Sequence, residues 1–511
     1  MAAADFVLDI IAQGAWNGGT LVDNSIYENK GMVFKGGIPV TGQTIEERIG
    51  VRTRVAAPVD ARIGLIAFQD LLDTSGIDPG RIRALIAATN VGEDKRDPGP
   101  TSLYLHERIR DLCPEALVMD LYAGCPGFNV SVELLNMLAL SGGLQSGDIA
   151  VIVGAENIHR AKAFQPHDTS HIIFGDDAMA TALEVGGLAG GAMSGRVVAE
   201  TALEAGDDFI AAIAAGLLPW ALEARVDGIL VDNQLGRVEC RVPATAARVQ
   251  HALMQHLFPQ EAAAGAFRNF RSALEIYEVH GAGFAYDLMT AGGDPRTVQR
   301  IARAYTASGT YRRIAAVFLK PGEQVRLSLI EASPAARSAP TKGVIGTLTR
   351  THGCFASFIE AKFEQDDVYG TMDGKGVFLY ATRGAKAHLS ALLGPHNLSL
   401  HDIDLLIEHQ ANFAMLPLTL EQVLADGKPA DRETVARFLA EKMATNIHVR
   451  GNCSVVCMQR LPHDLARGAL QPDIIQGYPV NQNPERLRDA RLILFDSVGA
   501  GMTRSSFVRR V

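Results

Sequence analysis

Apolar positions recur near both ends of the chain in the same order: a helical period, a polar turn, then a short apolar run. In the first half, helical periodicity over 61–72 leads through a Ser-Gly turn into the run 82–88. In the second half, a helical stretch over 385–393 leads through an Asn-Leu-Ser turn into the run 403–407. Each set predicts a helix, a turn and a buried strand.

The correspondence between the two halves continues further along the chain. Each has a glycine that opens an apolar helical stretch, followed by a run typical of a buried strand, at 149–153 and 492–495. The offset between the halves is 321 residues at their first strands, and 327 at Cys125, which aligns with Asn452. Such similar offsets predict a duplicated βα unit with small changes in loop length.

Strands that alternate with amphipathic helices predict an α/β layered fold, and strands that are apolar on both faces predict a sheet covered on both sides. A segment over 190–340 belongs to neither repeat, begins rich in glycine and ends in a Pro/Ala/Ser linker. Its length suits a small domain of its own. Helices are predicted there at 207–225, 244–257, 261–278 and 296–307, with a strand-like run at 238–242.

Charge and cysteine content narrow the function classes. The 511 residues include 48 basic and 57 acidic side chains, for a net charge of −9, which argues against nucleic acid as a partner. Six cysteines without a paired CxxC predict reduced thiols in a cytoplasmic protein, not a disulfide scaffold or a zinc site. We expect no signal peptide, because the first residues lack a basic region, and no membrane span.

Cys125 is the first candidate for chemistry. It lies between Gly124 and the sequence Pro-Gly-Phe, just before a predicted helix. A thiol at a helix N-terminus feels the positive end of the helix dipole and loses its proton more easily. The alternative is a buried cysteine that only packs as a small hydrophobe.

His409 and Asn452 are the other two candidates. His409 ends the apolar strand of the second half, and Asn452 stands where the repeat places Cys125 in the first half. Taken singly, they are also typical of a core histidine and of a turn asparagine. Together with Cys125 they form a Cys/His/Asn set drawn from different loops, which favours covalent catalysis through a thiol.

At these residues the chain resembles the condensing enzymes of the thiolase superfamily, in particular the ketoacyl-acyl-carrier-protein synthase III type. The resemblance covers 1–187 and 343–511 and rests on five motifs in the family's order, supported by the early stretch Ile49-Gly50-Val51-Arg52. The motifs are Ala123-Gly124-Cys125-Pro126-Gly127-Phe128, Phe174-Gly175-Asp176-Asp177, His409-Gln410-Ala411-Asn412, Gly451-Asn452-Cys453-Ser454 and Gly499-Ala500-Gly501-Met502-Thr503. Three features depart from the family: Asp177 and Ala500 each replace a glycine, and ordinary members lack the segment 190–340.

The resemblance implies a thiolase-like five-layered αβαβα core made from two duplicated halves, with an inserted, mainly helical segment. The implied domains are 1–187, 188–342 and 343–511. We expect the insert to shape substrate access and to perform no chemistry. The resemblance also implies a homodimer paired through the central sheets, and we expect the run 150–154 to supply the paired edge.

The implied activity is a decarboxylative Claisen condensation with a malonyl- or β-ketoacyl-type thioester, in fatty-acid-like or polyketide-type secondary biosynthesis. Cys125 would be acylated, the backbone N–H groups of Cys125 and Ala500 would form the oxyanion hole, and His409 with Asn452 would hold the enolate oxygen. No cofactor is implied; acyl-CoA and acyl-carrier-protein thioesters are the expected substrates and partners. Further expected substrate contacts are Phe128, Gly499 and Gly501.

Three alternatives stay open at the level of sequence. One is an acyltransferase that uses Cys125 but forms a C–O or C–N bond, and another is a non-catalytic subunit of a condensing heterodimer. The third is a metal site, but its candidate residues lack the spacing of a known metal motif, so we expect none. These residues are His159, His167, Asp168, His171 and Asp176.

Overall fold

A computed structural model describes residues 6–59, 61–91, 101–187, 195–204, 206, 208–235, 242–332, 340–364 and 367–511. The glycine stretch from 188 to 191, most of the strand-like run 238–242 and the linker 333–339 lie outside these described residues. In the part of the chain that is described, no helix is long and apolar enough to cross a bilayer.

The elements fall into three consecutive sets. The first set is β1 (Leu8–Ala15), β2 (Thr20–Asp23), β3 (Val33–Phe34), β4 (Ile38–Pro39), α1 (Gly42–Ile49), β5 (Thr53–Ala56), α2 (Ile63–Ser75), β6 (Ile82–Ala88), α3 (Thr101–His106), β7 (Leu117–Tyr122), α4 (Gly127–Leu140), β8 (Ile149–Glu156) and β9 (Asp177–Val185). The second is β10 (Arg196–Leu203), α5 (Phe209–Glu223), β11 (Gly228–Asn233), α6 (Thr245–Leu257), α7 (Pro259–Ala263), α8 (Phe270–His280), β12 (Phe284–Thr290), α9 (Pro295–Ala307), β13 (Arg313–Leu319) and β14 (Val325–Glu331). The third is β15 (Gly343–Thr351), β16 (Ile359–Glu364), β17 (Asp367–Met372), α10 (Gly374–Arg383), α11 (Ala385–Leu393), β18 (Leu405–Glu408), α12 (Met415–Val423), α13 (Arg432–Lys442), α14 (Ile447–Arg450), α15 (Cys457–Ala466), β19 (Asp473–Ile475), β20 (Tyr478–Val480), α16 (Glu485–Asp489), β21 (Leu492–Gly499) and β22 (Thr503–Arg510).

Two large mixed sheets form the framework. One has ten strands in the order β1-β9-β8-β6-β7-β12-β11-β13-β14-β10, and the other has four in the order β15-β22-β21-β18. Helices α4 and α15 lie between the sheets, α2 covers the outer face of the first, and α11 covers the second. This is the predicted five-layered αβαβα arrangement, and the largest apolar cluster joins the inner helices to both sheets.

The predicted duplication is confirmed by the strand order. The series β1-β9-β8-β6 in the first half corresponds to β15-β22-β21-β18 in the second, and α4 corresponds to α15. The predicted strand 82–88 is β6, and the predicted helix 385–393 is α11, with the same bounds. Strong periodicity between glycine or polar turns was sufficient to fix these boundaries.

The segment between the halves differs from its prediction. More of its residues are helical than extended, and helices lie close to the four predicted ranges. However, five strands from this segment, β10 to β14, extend the first sheet beyond β7, so it is not a domain apart from the repeats. The predicted domain ranges 1–187, 188–342 and 343–511 stay a prediction, with one sheet shared by the first two.

The edge expected for dimer pairing is also wrong. The run 150–154 lies in β8, which pairs with β6 on one side and with β9 on the other, so it is an interior strand. The outer side of β7 is covered within the same chain by β12. The homodimer that the resemblance implies therefore cannot pair through the run 150–154.

Candidate active site

An apolar pocket opens beside Cys125 and encloses about 680 Å³ of empty space, part of it open to solvent. All three parts of the chain contribute to the wall, including Val242 from the middle segment. The lining residues are Asn90, Val91, Cys125, Ile158, Ala163, Phe164, Phe174, Val242, Ile359, Glu360, Ala361, Val368, Gly370, Met372, Ser454 and Ala500.

Cys125 occupies the turn that joins β7 to α4, as predicted from its flanking glycines. Gly124 has φ +70°, and a side chain on it would lie 2.5 Å from the backbone nitrogen of Ala500. A side chain on Gly499 would lie 2.4 Å from the backbone nitrogen of Cys125. The two turns therefore pack backbone against backbone at Gly124 and Gly499, where only a residue without a side chain fits.

This packing places Ala500 in the same pocket wall as Cys125. The turn after β21 continues through Gly501 and Met502, both at positive φ, which turns the chain back into β22. The alanine methyl that replaces the family's glycine is accommodated, and Ala500 is 8% exposed. The backbone N–H groups of Cys125 and Ala500 thus belong to adjacent turns, as an oxyanion hole requires.

The environment of the thiol departs from the sequence expectation. Burial, together with the nearby Glu156 and Cys457, raises the pKa of Cys125 to about 12. The hydroxyl of Ser454 donates to Sγ at 3.4 Å and acts in the opposite direction. Burial therefore outweighs the helix-start effect, and the resting group is a protonated thiol.

A polar network behind the thiol was not predicted. The side chain of Asn90 donates to the hydroxyl of Ser454 at 2.9 Å and to the carboxylate of Glu156 at 2.6 Å. Glu156 also accepts the backbone N–H groups of Asn90 and Val91, and burial raises its pKa to about 7. Ser454 lay in the quoted Gly-Asn-Cys-Ser motif, and Glu156 lies three residues beyond the predicted strand 149–153, but neither position alone indicated a shared network.

Asn452 is held from both sides. Its backbone N–H donates to Ile173 at 2.7 Å, and its carbonyl accepts from Gly175 at 3.1 Å. Its side-chain oxygen accepts the backbone N–H of Ser454 at 2.8 Å. This hydrogen bond occupies Oδ1 and leaves Nδ2 as the donor of the side chain. Asn452 is therefore fixed two residues from the serine that contacts Cys125.

His409 lies at the end of β18, as predicted. Its backbone N–H donates to the carbonyl of Asp496 at 2.8 Å, and burial lowers the pKa of its ring to about 4, which keeps the imidazole neutral. Its Nδ1 has no hydrogen-bond partner among the described residues. The backbone of the next residue, Gln410, lowers the pKa of the Cys457 thiol, the group that in turn raises the pKa of Cys125.

Only some of the predicted site residues line the pocket. Cys125 and Ala500 line the pocket, whereas His409, Asn452, Gly499 and Gly501 do not. Gln410 and Asn412 have structural partners, since the Gln410 side chain binds the 444–447 loop and Asn412 accepts the N–H of Ala414.

The substrate contact expected for Phe128 stays a prediction, and Phe128 is not among the residues that line the pocket. Its side chain is 1% exposed and packs edge-on against Phe507, with the ring centroids 6.1 Å apart. The first turn of α4 faces the layer between the two sheets, so Phe128 belongs to the core. A hydrophobic residue just after the nucleophile could not be assigned to pocket or core from sequence alone.

The aspartate pair in the Phe-Gly-Asp-Asp motif has a structural explanation. Asp177, which replaces a glycine of the family, accepts two hydrogen bonds from the fully buried Arg460, at 2.9 and 2.5 Å, and one from Arg450. Asp176 accepts the backbone N–H groups of Ala57, His159 and Arg160. Neither carboxylate is directed at a metal position, and no group of three potential ligands occurs among the described residues.

We predict that Asp177→Asn lowers the free energy of unfolding by about 3–5 kcal/mol, because the buried Arg460 guanidinium loses its nearer counter-charge and keeps only Asp464, 3.6 Å away. Urea denaturation followed by the fluorescence of Trp16, whose carbonyl accepts from Arg460, measures the effect. Glu107→Gln, in an exposed pair with Arg110, is the control and should change little. Equal shifts for the two variants would contradict the assignment.

A second prediction concerns the acidity of the thiol. Because the pKa of Cys125 is raised, its thiolate fraction, and hence its rate of alkylation by iodoacetamide, should rise about tenfold per pH unit from neutral pH upward. Ser454→Ala should slow alkylation further, since the serine hydroxyl lowers this pKa, whereas the exposed control Ser390→Ala should not. Peptide mass spectrometry locates the label. A rate that is already constant near pH 7 would contradict a protonated resting thiol.

Comparisons with known proteins show which proteins the chain resembles. No protein-family model matches the chain. The curated β-ketoacyl-[acyl-carrier-protein] synthase III of Novosphingobium aromaticivorans is 27% identical over 150 residues, which are 29% of this chain and 44% of that protein. The corresponding protein of Yersinia pestis is 29% identical over 150 residues, 29% of this chain and 45% of that protein. The chain thus spans less than half the length of the curated relatives it matches.

Solved structures extend the likeness to the whole fold. The 3-oxoacyl-[acyl-carrier-protein] synthase III of Aquifex aeolicus aligns with a TM-score of 0.53 at 14% identity, over 99% of this chain and 100% of that one. The priming β-ketosynthase of a polyketide biosynthetic pathway aligns with a TM-score of 0.52 at 14% identity, over 100% and 98%. The chain therefore has the thiolase-like fold of the β-ketoacyl-[acyl-carrier-protein] synthase III proteins and resembles them in sequence.

Proposed function

We propose that the protein is a condensing acyltransferase that carries an acyl group on Cys125. The observation that carries the proposal is the packing of two turns backbone against backbone, which sets the thiol and the Ala500 N–H in one apolar pocket. A half-buried thiol next to backbone donors suits attack on a thioester carbonyl, whose oxygen becomes negatively charged.

In the first half-reaction, Sγ of Cys125 attacks the carbonyl carbon of an acyl thioester. The backbone N–H groups of Cys125 and Ala500 stabilise the oxyanion of the tetrahedral intermediate. Collapse breaks the bond to the leaving sulfur of CoA or of a carrier protein. The proton that Cys125 loses on attack ends on that sulfur, so the step needs no other proton donor.

In the second half-reaction, a malonyl-type thioester loses CO₂ and forms an enolate. The enolate oxygen accepts hydrogen bonds from Nε2 of His409 and Nδ2 of Asn452. The carbanion attacks the acyl carbon on Cys125, a C–C bond forms, and the sulfur of Cys125 leaves as a thiolate that takes up a proton. A neutral histidine can donate in this way, and the lowered pKa of His409 keeps it neutral around pH 7.

The apolar wall of the pocket supports a thioester with an acyl chain as the substrate. Apolar side chains such as Phe164, Val242 and Ile359 suit an acyl chain. The thioester donor is acyl-CoA or acyl-carrier-protein, and the product suits fatty-acid-like or polyketide-type metabolism. The relatives named as synthase III enzymes support this class of reaction.

Intact-mass spectrometry after incubation with a panel of acyl-CoAs tests the proposal. We expect one acyl adduct per chain, which disappears when malonyl-CoA is added. An adduct that malonyl-CoA leaves untouched, but that an alcohol or amine removes, would favour an acyltransferase that forms C–O or C–N bonds. A chain that takes no acyl group from any donor would contradict both and fit a non-catalytic subunit.

A further inference from the structure

The middle segment has the same topology as the first half of the chain. In the first half, the order across the sheet is β7-β6-β8-β9-β1, and in the middle segment it is β12-β11-β13-β14-β10. The directions also agree, because the first three strands of each series are parallel and the last two are antiparallel to their neighbours. Even the irregularity in the outermost strand recurs, with a bulge in β1 and another in β10.

The register fixes the correspondence residue by residue. Asp120 on β7 lies beside Ala87 on β6, and Asp287 on β12 lies beside Val231 on β11. The offset from Asp120 to Asp287 is 167 residues, which makes Leu288 the counterpart of Leu121.

Where the two copies meet, they meet symmetrically. Leu121 pairs with its own counterpart Leu288, and the antiparallel ladder continues evenly on both sides, with Tyr122 opposite Asp287 and Asp120 opposite Met289. The helices that follow these strands, α4 and α9, also pack against each other. A strand that pairs with its counterpart through a central residue is the signature of a two-fold axis.

The two aspartates perform the same task in each copy. The carboxylate of Asp120 accepts the backbone N–H groups of Thr101 and Ser102, each at 2.8 Å, at the start of α3. The carboxylate of Asp287 accepts those of Thr245 and Ala246, at 2.9 and 2.8 Å, at the start of α6. A buried carboxylate that caps the same helix from the same strand position indicates a shared architecture.

The copy in the middle segment cannot perform the same chemistry. With the offset of 167 residues, the position of Cys125 is taken by Gly292, in the sequence Ala291-Gly292-Gly293. The nucleophile is therefore absent from this copy, although the strand, turn and helix that would carry it are retained.

The middle copy nevertheless reaches the pocket of Cys125. Val242, in the connection between β11 and α6, lines the pocket, and its carbonyl accepts the N–H of Ala361 at 2.7 Å. Its side chain packs with Ala361 and Val368 of the β16–β17 hairpin, which line the same pocket.

Buried hydrogen bonds join this copy to the C-terminal half. The side chain of Gln250 donates to the carbonyl of Thr351 at 2.9 Å and accepts the N–H of Gly353 at 2.9 Å. The hydrogen bond from Ala361 and those of Gln250 therefore hold the connection that carries Val242 against the C-terminal half.

We propose that residues 196–331 are a built-in, non-catalytic partner subunit. They take the place on β7 that a second copy of the chain would occupy, so the protein works as a monomer with one acylation site, and through Val242 they limit the length of the acyl chain. Without β12, the outer edge of β7 would be an unpaired strand open to association. The limit on acyl length rests on the proposed function, whereas the partner role does not.

Light scattering of the full chain at micromolar concentration tests the partner role. We expect the mass of one chain, 54.7 kDa, at all concentrations measured. The mass of two chains would overturn the proposal, because the internal copy would then not replace a second subunit. This result is independent of whether any acyl thioester is a substrate.

Substitutions of Val242 test the limit on acyl length. Val242→Phe should lower kcat/KM for long acyl donors about tenfold or more relative to short ones, and Val242→Ala should shift the preference toward long donors. The matched controls are Val198→Phe and Val198→Ala, at an exposed position of the same copy, and they should leave the preference unchanged. Equal effects at every chain length, or the same shift in the controls, would overturn the role of Val242. Absence of acylation in the unmodified protein would instead contradict the proposed function.

Discussion

Cys125→Ala should abolish covalent acylation and reduce condensation by at least about a thousandfold, since removal of a covalent nucleophile commonly costs that much or more. The physical reason is that no other described thiol lines the pocket: Cys453 and Cys457 are 1% exposed and pack at the start of α15. Intact-mass spectrometry with an acyl-CoA measures the adduct, and steady-state assays measure condensation.

Cys453→Ala and Cys457→Ala are matched controls for this experiment, because both remove a buried thiol close to the site. They should retain one acyl group per chain. Loss of the label in either control, with its retention in Cys125→Ala, would transfer the nucleophile to the other cysteine and contradict the proposed function.

The second large effect is expected at His409 and Asn452. Alanine at either position should slow decarboxylation of the malonyl-type thioester by about 10²–10³-fold, the usual cost of losing one oxyanion donor. Self-acylation of Cys125 should change far less, because its oxyanion is held by backbone N–H groups that these substitutions leave in place. Release of CO₂ and formation of the adduct are measured separately.

Gln410→Ala serves as the control for His409→Ala. Its side chain accepts the backbone N–H groups of Asn446 and Ile447, so its loss should lower stability more than it changes the ratio of the two half-reactions. Equal losses in acylation and decarboxylation for His409→Ala would mean that the two half-reactions do not depend on different donors.

Sequence alone identified much of the fold. Glycine and polar turns around periodic apolar runs fixed β6 and α11 at their observed bounds, because those signals are local. The turn that holds Cys125 was equally predictable, since a glycine at positive φ must precede a strand-to-helix turn this tight.

The third repeat was missed because what it retains is structural and non-local. Topology, register and the capping role of Asp287 are kept, but the motif around Cys125 has become Ala291-Gly292-Gly293, so no sequence match points to the first half. Likewise, the raised pKa of Cys125 depends on burial by elements distant in sequence, and the helix start seen in the sequence could not reveal it.

The central claim is that an acyl group on Cys125 is consumed by a decarboxylated malonyl-type unit. The most direct measurement is a single turnover in which the isolated acyl-protein is mixed with malonyl-CoA labelled in its free carboxyl group. We expect the adduct mass to disappear in step with release of labelled CO₂ and with one equivalent of a β-ketoacyl product. Loss of the adduct as free acid, or its transfer without CO₂ release, would contradict the account.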